Sequence, residues 1–170
     1  MKKLILLAFS FLLIFGSLQA QSPDEIWEAA NQYALANLNE DYELLLDFTY
    51  PQVIEQAGGR EAYKKVLLQM NELQKNRGMS LSDFIVKEPL DKVKAGDEWH
   101  VVVPYQSVTK VKGGRLTSEN TLIAVAAEGK SKWYFVETAS LTERNLAKVL
   151  PNWNNTLILP YKKAPIFKED

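Results

Sequence analysis

Apolar residues recur along the first half of this chain at intervals of three and four, and along the second half at intervals of two. The first pattern predicts amphipathic helices and the second half-buried strands. The opening helix is signalled by SPDE: Ser22 can cap it, Pro23 suits its first position and Glu25 can complete a capping box. Ile26, Trp27, Ala30, Tyr33, Ala34 and Leu38 form its buried stripe, and Asn39 ends it. A shorter helix follows Asp41, its cap, with Leu44, Leu45 and Phe48 on the buried side. Pro51 closes that helix, because the residue before a proline is pushed out of the α region. QVIEQA has room for one more turn, and Gly58 or Gly59 can take the positive φ that ends a helix. REAYKKVLLQMNELQKNRG then predicts the longest helix, with Ala62, Val66, Met70 and Leu73 along its buried face and Gly78 as its stop. The corner at residues 47–61 thus redirects the chain between packed helices, as proline and glycine commonly do.

Beyond it the period is two. SDFIVKEP predicts a strand stopped by Pro89, and EWHVVVPYQSVTKV a long strand in which Pro104 demands an edge position or a bulge. KGGR supplies hairpin turn chemistry, LTSENTLIAVAAE returns, and EGKS turns again into KWYFVET. LTERNLAKVLP predicts a short helix, NTLILP an apolar segment, and YKKAPIFKED a polar tail anchored by Tyr161 and Phe167. Three helices followed by an antiparallel meander indicate an α+β domain with the helices on one sheet face. Val101, Val102 and Val103 are apolar in both phases. Both faces are therefore expected to be covered, the second by the tail or by a partner copy.

The first twenty residues stand apart from this pattern. Lys2 and Lys3, the apolar run Leu4–Phe15 and the small residues up to Ala20 make an export signal, too short for the roughly 20 residues that cross a bilayer. The expectation is a signal at 1–20 and one domain at 21–170, periplasmic or secreted, with no membrane insertion once the signal is removed. No cysteine follows the signal, which excludes its lipid-attached form and leaves stability to packing alone. Without Lys2 and Lys3 the net charge of −1 becomes −3, which gives no electrostatic reason to expect nucleic acid as a partner.

Candidate chemistry is sparse. The single histidine, His100, stands mid-strand with nothing to pair it with a nucleophile, so it reads as a structural residue. The usual thiolate and imidazole ligands are missing, so neither metal nor cofactor is expected. Glu40, Asp41, Glu43 and Asp47 suit a helix N-terminus, and Lys110, Lys112 and Arg115 a solvated hairpin tip. Two strands say more. Trp99, Val101, Val103 and Tyr105 share one phase, and Trp133, Phe135 and Glu137 another, which places a carboxylate in line with a Trp and a Phe.

The order and spacing of DFTYPQVIEQAGGRE at 47–61, VVPYQ at 102–106, KWYFVET at 132–138 and the two LP motifs at 150–160 resemble the nuclear transport factor 2-like (cystatin-like) superfamily. Small secreted bacterial members of uncharacterised function are the nearest in kind. The resemblance covers most of residues 22–165. It implies a roll, with helices wrapped by a curved antiparallel sheet, a conical cavity between them and frequent homodimers. Enzymes of that fold carry acid-base residues in the cavity, but no residue here matches their catalytic sets. Within such a roll Tyr50, Tyr105 and Glu137 would approach a common space with Trp133 as its apolar wall. That group would either hold a small apolar or aromatic ligand or simply tie the corner to the sheet. Three functions remain open: a ligand-binding or accessory domain, a lyase or isomerase with a cavity carboxylate as base, and a dimeric interaction protein.

Overall fold

The structure is a computed structural model that describes residues 23–139, 141, 143–154 and 156–170. The expected export signal at 1–20 and the cap at Ser22 lie outside the described residues. Four helices come first: α1 (Pro23–Leu38), α2 (Tyr42–Phe48), α3 (Pro51–Gln56) and α4 (Arg60–Asn76). Strands β1 (Ser80–Val86), β2 (Val93–Ala95), β3 (Glu98–Val111), β4 (Gly114–Ala127) and β5 (Tyr134–Glu137) follow. A short helix α5 (Glu143–Val149) and a last strand β6 (Ile166–Glu169) complete the order. Among the described residues, no helix is long and apolar enough to cross a membrane.

All strands join one antiparallel sheet in the order β1-β3-β4-β5, with β2 on the far end of β3 and β6 on the tip of β4. The long hairpin β3–β4 pairs without interruption from Glu98↔Ala127 to Val111↔Gly114. Pro104 is therefore interior to the sheet, yet it sits at a local edge. β1 ends at Val86, opposite Tyr105, and β2 resumes only opposite His100. The missing N–H of Pro104 faces that gap, where its carbonyl accepts from Lys87 N at 2.9 Å.

The alternation of β3 and β4 feeds two cores. On the inner face Val101, Val103, Leu122, Ala124, Trp133 and Phe135 pack against Ile26, Ala30, Tyr33 and Leu45 of α1 and α2. On the outer face Ile123, Val125 and Val136 are covered by Leu146, Val149 and Leu150, with Trp153 and Leu159 packed alongside. Both phases of the valine run are thus buried, and the cover on the second face is α5 and the chain after it. Trp27 departs from the expected stripe of α1 and is 48% exposed.

The Tyr-Pro corner is a joint. Asp41 caps α2 by accepting from Leu44 N at 3.1 Å. Thr49 and Tyr50 are extended, Pro51 opens α3, and Gly58 and Gly59 both take positive φ. Between the helices Thr49 bridges Phe135, and Tyr50 N donates to Phe135 O at 3.0 Å, which stitches the corner to the edge of β5.

Helix α4 corrects an expectation. No residue of it is buried, and Val66, Met70 and Leu73, predicted to face the core, are each more than two-fifths exposed. The reason is that α4 is turned so that Leu67 packs on the inner core and a row of polar residues meets the start of α2. Arg60 bonds Glu43 and Asp47, Lys64 bonds Glu43, and Asn71 and Lys75 bond Glu40. Positions 60, 64, 71 and 75 recur at helical spacing, so this polar seam rotates the apolar stripe away from the sheet. The C-terminal tail corrects another. Tyr161 is 91% exposed and anchors nothing, whereas Ile166–Glu169 form a strand on residues 114–117.

Candidate functional site

Glu137 lies at the end of β5, opposite Leu122, and so projects toward the inner, helix-covered face. Tyr105 arrives on the same face from β3 and donates its hydroxyl to Glu137 Oε2 at 2.6 Å, a charge-assisted bond. The other carboxylate oxygen accepts from Ala139 N at 3.1 Å. Burial raises the Glu137 pKa above the ordinary carboxyl range, against the lowering pull of the Tyr105 hydroxyl, the Ala139 and Thr138 N–H groups and the Lys162 charge. Tyr33 from α1 and Tyr63 from α4 also feel this carboxylate; burial first, then its charge, pushes both phenols up. Tyr105 is pushed up for the same two reasons.

Rings fill the space around this group. Phe84 stacks on Tyr105 with centroids 4.1 Å apart, Tyr33 meets Phe84 edge-on at 6.3 Å, and Phe135 lies 5.3 Å from Tyr33. The result is a carboxyl with raised proton affinity, ringed by three phenols, in an aromatic setting. Such a group can hold or release a proton nearer neutrality than a free glutamate.

Of the four residues singled out from the sequence, Tyr105 and Glu137 come together and Trp133 joins the same inner core. The Trp133 indole N–H is buried without a hydrogen-bond partner among the described residues. Tyr50 does not join them. With its backbone stitched to Phe135, its side chain falls on the outer face and donates to Glu98 Oε1 at 2.8 Å. Tyr50 and Glu137 thus serve opposite sheet faces. Glu98 Oε2 lies 3.2 Å from His100 Nε2, and Trp153 stacks on the imidazole at 5.8 Å. His100 is fully buried, and burial lowers its pKa in spite of Glu98. Its Nδ1 has no partner among the described residues.

Two hollows open on the outer face, on either side of the strap formed by residues 157–163. The smaller, about 120 Å³, lies over β3 and β4 beside Lys87, Glu119, Asn120 and Lys163. Three of its charges are paired, Glu119 bonding Lys87 at 3.1 Å and Lys163 at 2.8 Å. The larger, about 620 Å³, lies between α5 and the strap, walled by Leu141, Leu146, Trp153, Leu157, Leu159 and Pro160. That volume is in the range of small-molecule sites, and its apolar walls fit them too. Sequence reasoning missed this hollow and the roles of Tyr33 and Tyr63. The apolar character of NTLILP was visible, but not that it would stand off from α5.

No family model, no curated protein and no solved structure matches the chain.

Proposed function

We propose that this protein is an exported, non-catalytic domain that binds a small apolar ligand, with a nuclear transport factor 2-like roll as its scaffold. The observation that carries the reading is the 620 Å³ hollow and its wall of aliphatic and indole side chains. The site moves accordingly, from the helix-facing side, where rings of Tyr33, Phe84 and Phe135 fill the space, to the outer face. The segment that closes the hollow carries side chains with little buried contact, Ile158 being 82% exposed, so a ligand there would gain cover for surfaces now in water. Ala147 lines the hollow and is exposed, so Ala147→Trp fills it without disturbing a buried position.

The test is a thermal-shift and native mass spectrometry screen of the full chain against apolar small molecules, repeated with Ala147→Trp. A ligand present at one hundred times its Kd stabilises by about 2.7 kcal/mol. For a domain of this size that is a rise of roughly 5–11 °C. The expected result is such a rise in the wild type and none in the variant. Absence of any stabilising ligand, or equal binding by both proteins, would overturn the reading.

A second reading, a lyase or isomerase that uses Glu137 as its base, draws on the raised carboxyl among Tyr33, Tyr63 and Tyr105. It requires a substrate to reach Glu137, whose partner Tyr105 lines the smaller hollow. A substrate analogue that raises the melting temperature of the wild type and not of Glu137→Gln would favour it over simple binding.

A further inference from the structure

The hollow between α5 and the strap has one charged side chain among its described lining residues, Lys162. Its ammonium is not free to swing. Nζ donates to Ala139 O at 3.0 Å and to Leu141 O at 2.6 Å, two carbonyls of the loop that leaves β5. Leu141 also walls the hollow, so the charge is held against the cavity's own edge. An ammonium has three N–H donors, and these carbonyls take two of them. Of the two hydroxyl-bearing residues that also line the hollow, Thr138 and Tyr161, the first is already committed, its hydroxyl donating to Thr121 O at 2.7 Å. The neighbouring cation is neutralised, Lys163 being bonded to Glu119. Lys162 itself is fixed by neutral carbonyls and makes no ion pair with a carboxylate among the described residues. The carboxylate that does feel it, Glu137, projects to the opposite face of β5.

We infer that the hollow selects amphipathic monocarboxylates, with an aliphatic or aromatic body among Leu146, Trp153, Leu157 and Leu159 and the carboxylate on Lys162. This rests on the ligand-binding reading above and adds the chemical class. One remaining donor suits a singly charged, singly bonded head group. A phosphate or sulfate needs several donors, and the described lining offers no arginine fork. The body needs no polar partner, and a carboxylate placed at the mouth keeps part of its hydration while its tail leaves water.

The experiment titrates the full chain at pH 8 with decanoate and, separately, with decan-1-ol, which has the same chain and no charge. Tryptophan fluorescence, compared with that of Trp153→Phe to isolate the wall residue from the other three tryptophans, follows binding, and thermal shift gives an independent affinity. Decanoate is expected to bind about tenfold more tightly than decan-1-ol, the worth of one charge-assisted hydrogen bond. Lys162→Arg should keep that preference. Lys162→Gln should lose it while the affinity for decan-1-ol stays the same. Equal affinities in the wild type, or a preference that survives in Lys162→Gln, would overturn the charge selection and leave the apolar site standing. Failure of both compounds to bind would remove the site itself.

Discussion

The Tyr105 hydroxyl is a side-chain donor to a carboxyl whose pKa burial raises, so Tyr105→Phe is a clean cut into one bond. Phe keeps the ring that stacks on Phe84 and loses only the 2.6 Å contact to Glu137. A hydrogen bond to a charged group contributes about 1.5–3 kcal/mol, and one between neutral groups about 0.5–1.5. The cost of the substitution therefore depends on the protonation of Glu137. Above its raised pKa the carboxylate is left with the Ala139 and Thr138 N–H groups, and the loss is the larger figure. Below it the protonated carboxyl loses a neutral bond, and the loss is the smaller. At about 2–4 °C per kcal/mol for a domain of this length, the high-pH fall in melting temperature is roughly 3–12 °C. The folded state binds the Glu137 proton more tightly than the unfolded chain does. The wild type should then lose stability as pH rises from the ordinary carboxyl range through the raised value, and Glu137→Gln should flatten that slope. The assay is urea unfolding of the wild type, both single variants and the double variant across pH 4–9. In the Glu137→Gln background the cost of Tyr105→Phe should stay near the neutral-bond figure at every pH. A cost independent of pH, and equal in the two backgrounds, would refute the account.

His100 titrates in the opposite sense. Its folded pKa is lowered, so stability is fully present above the unfolded value near 6.5 and falls as pH drops through the folded one; His100→Gln should flatten the profile below pH 6.5, measured against the wild type. Gly114→Ala addresses the last strand: a Cβ there would stand 2.2 Å from Lys168 O, so β6 must lift off, with faster hydrogen exchange at 166–169 and little change in the global unfolding midpoint.

What the sequence made legible follows from how local each signal is. The β3–β4 hairpin, its phases and the pairing of Trp133 and Phe135 with the inner core were readable because alternation is a property of neighbours. The joint at Tyr50-Pro51 was readable as a break, since proline and glycine act on their own dihedrals. The destination of the Tyr50 ring was not, because it depends on a bond between the corner and β5 that only the tertiary fold creates. Helix α4 misled for a related reason. Its apolar stripe is real, but ion pairs to Glu40 and Glu43 fix its rotation, and the partners of Arg60, Lys64 and Lys75 are set only by the tertiary fold. β2 is too short to carry a period, and β6 is exposed on every residue, so neither shows the contrast of buried and exposed positions on which strand signals rest. Tyr105 and Glu137 were found as a pair because both sit in phase on strands; Tyr33 and Tyr63 reach them from separate helices.

The outer-face core has a consequence in time. Polypeptides are made from the N-terminus, and by the time Glu137 is synthesised the chain holds all of the inner core's strands and helices. The opposite face, with Val102, Ile123, Val125 and Val136, still lacks its cover, since Leu146, Leu150 and Trp153 have yet to emerge. A nascent sheet in that state would present a broad apolar surface, which is costly in water and prone to stick to its own kind. Productive closure is thus deferred until the chain is almost complete. A nascent chain arrested after Glu137 should accordingly be captured by holdase chaperones, and one arrested after the strap has emerged should not.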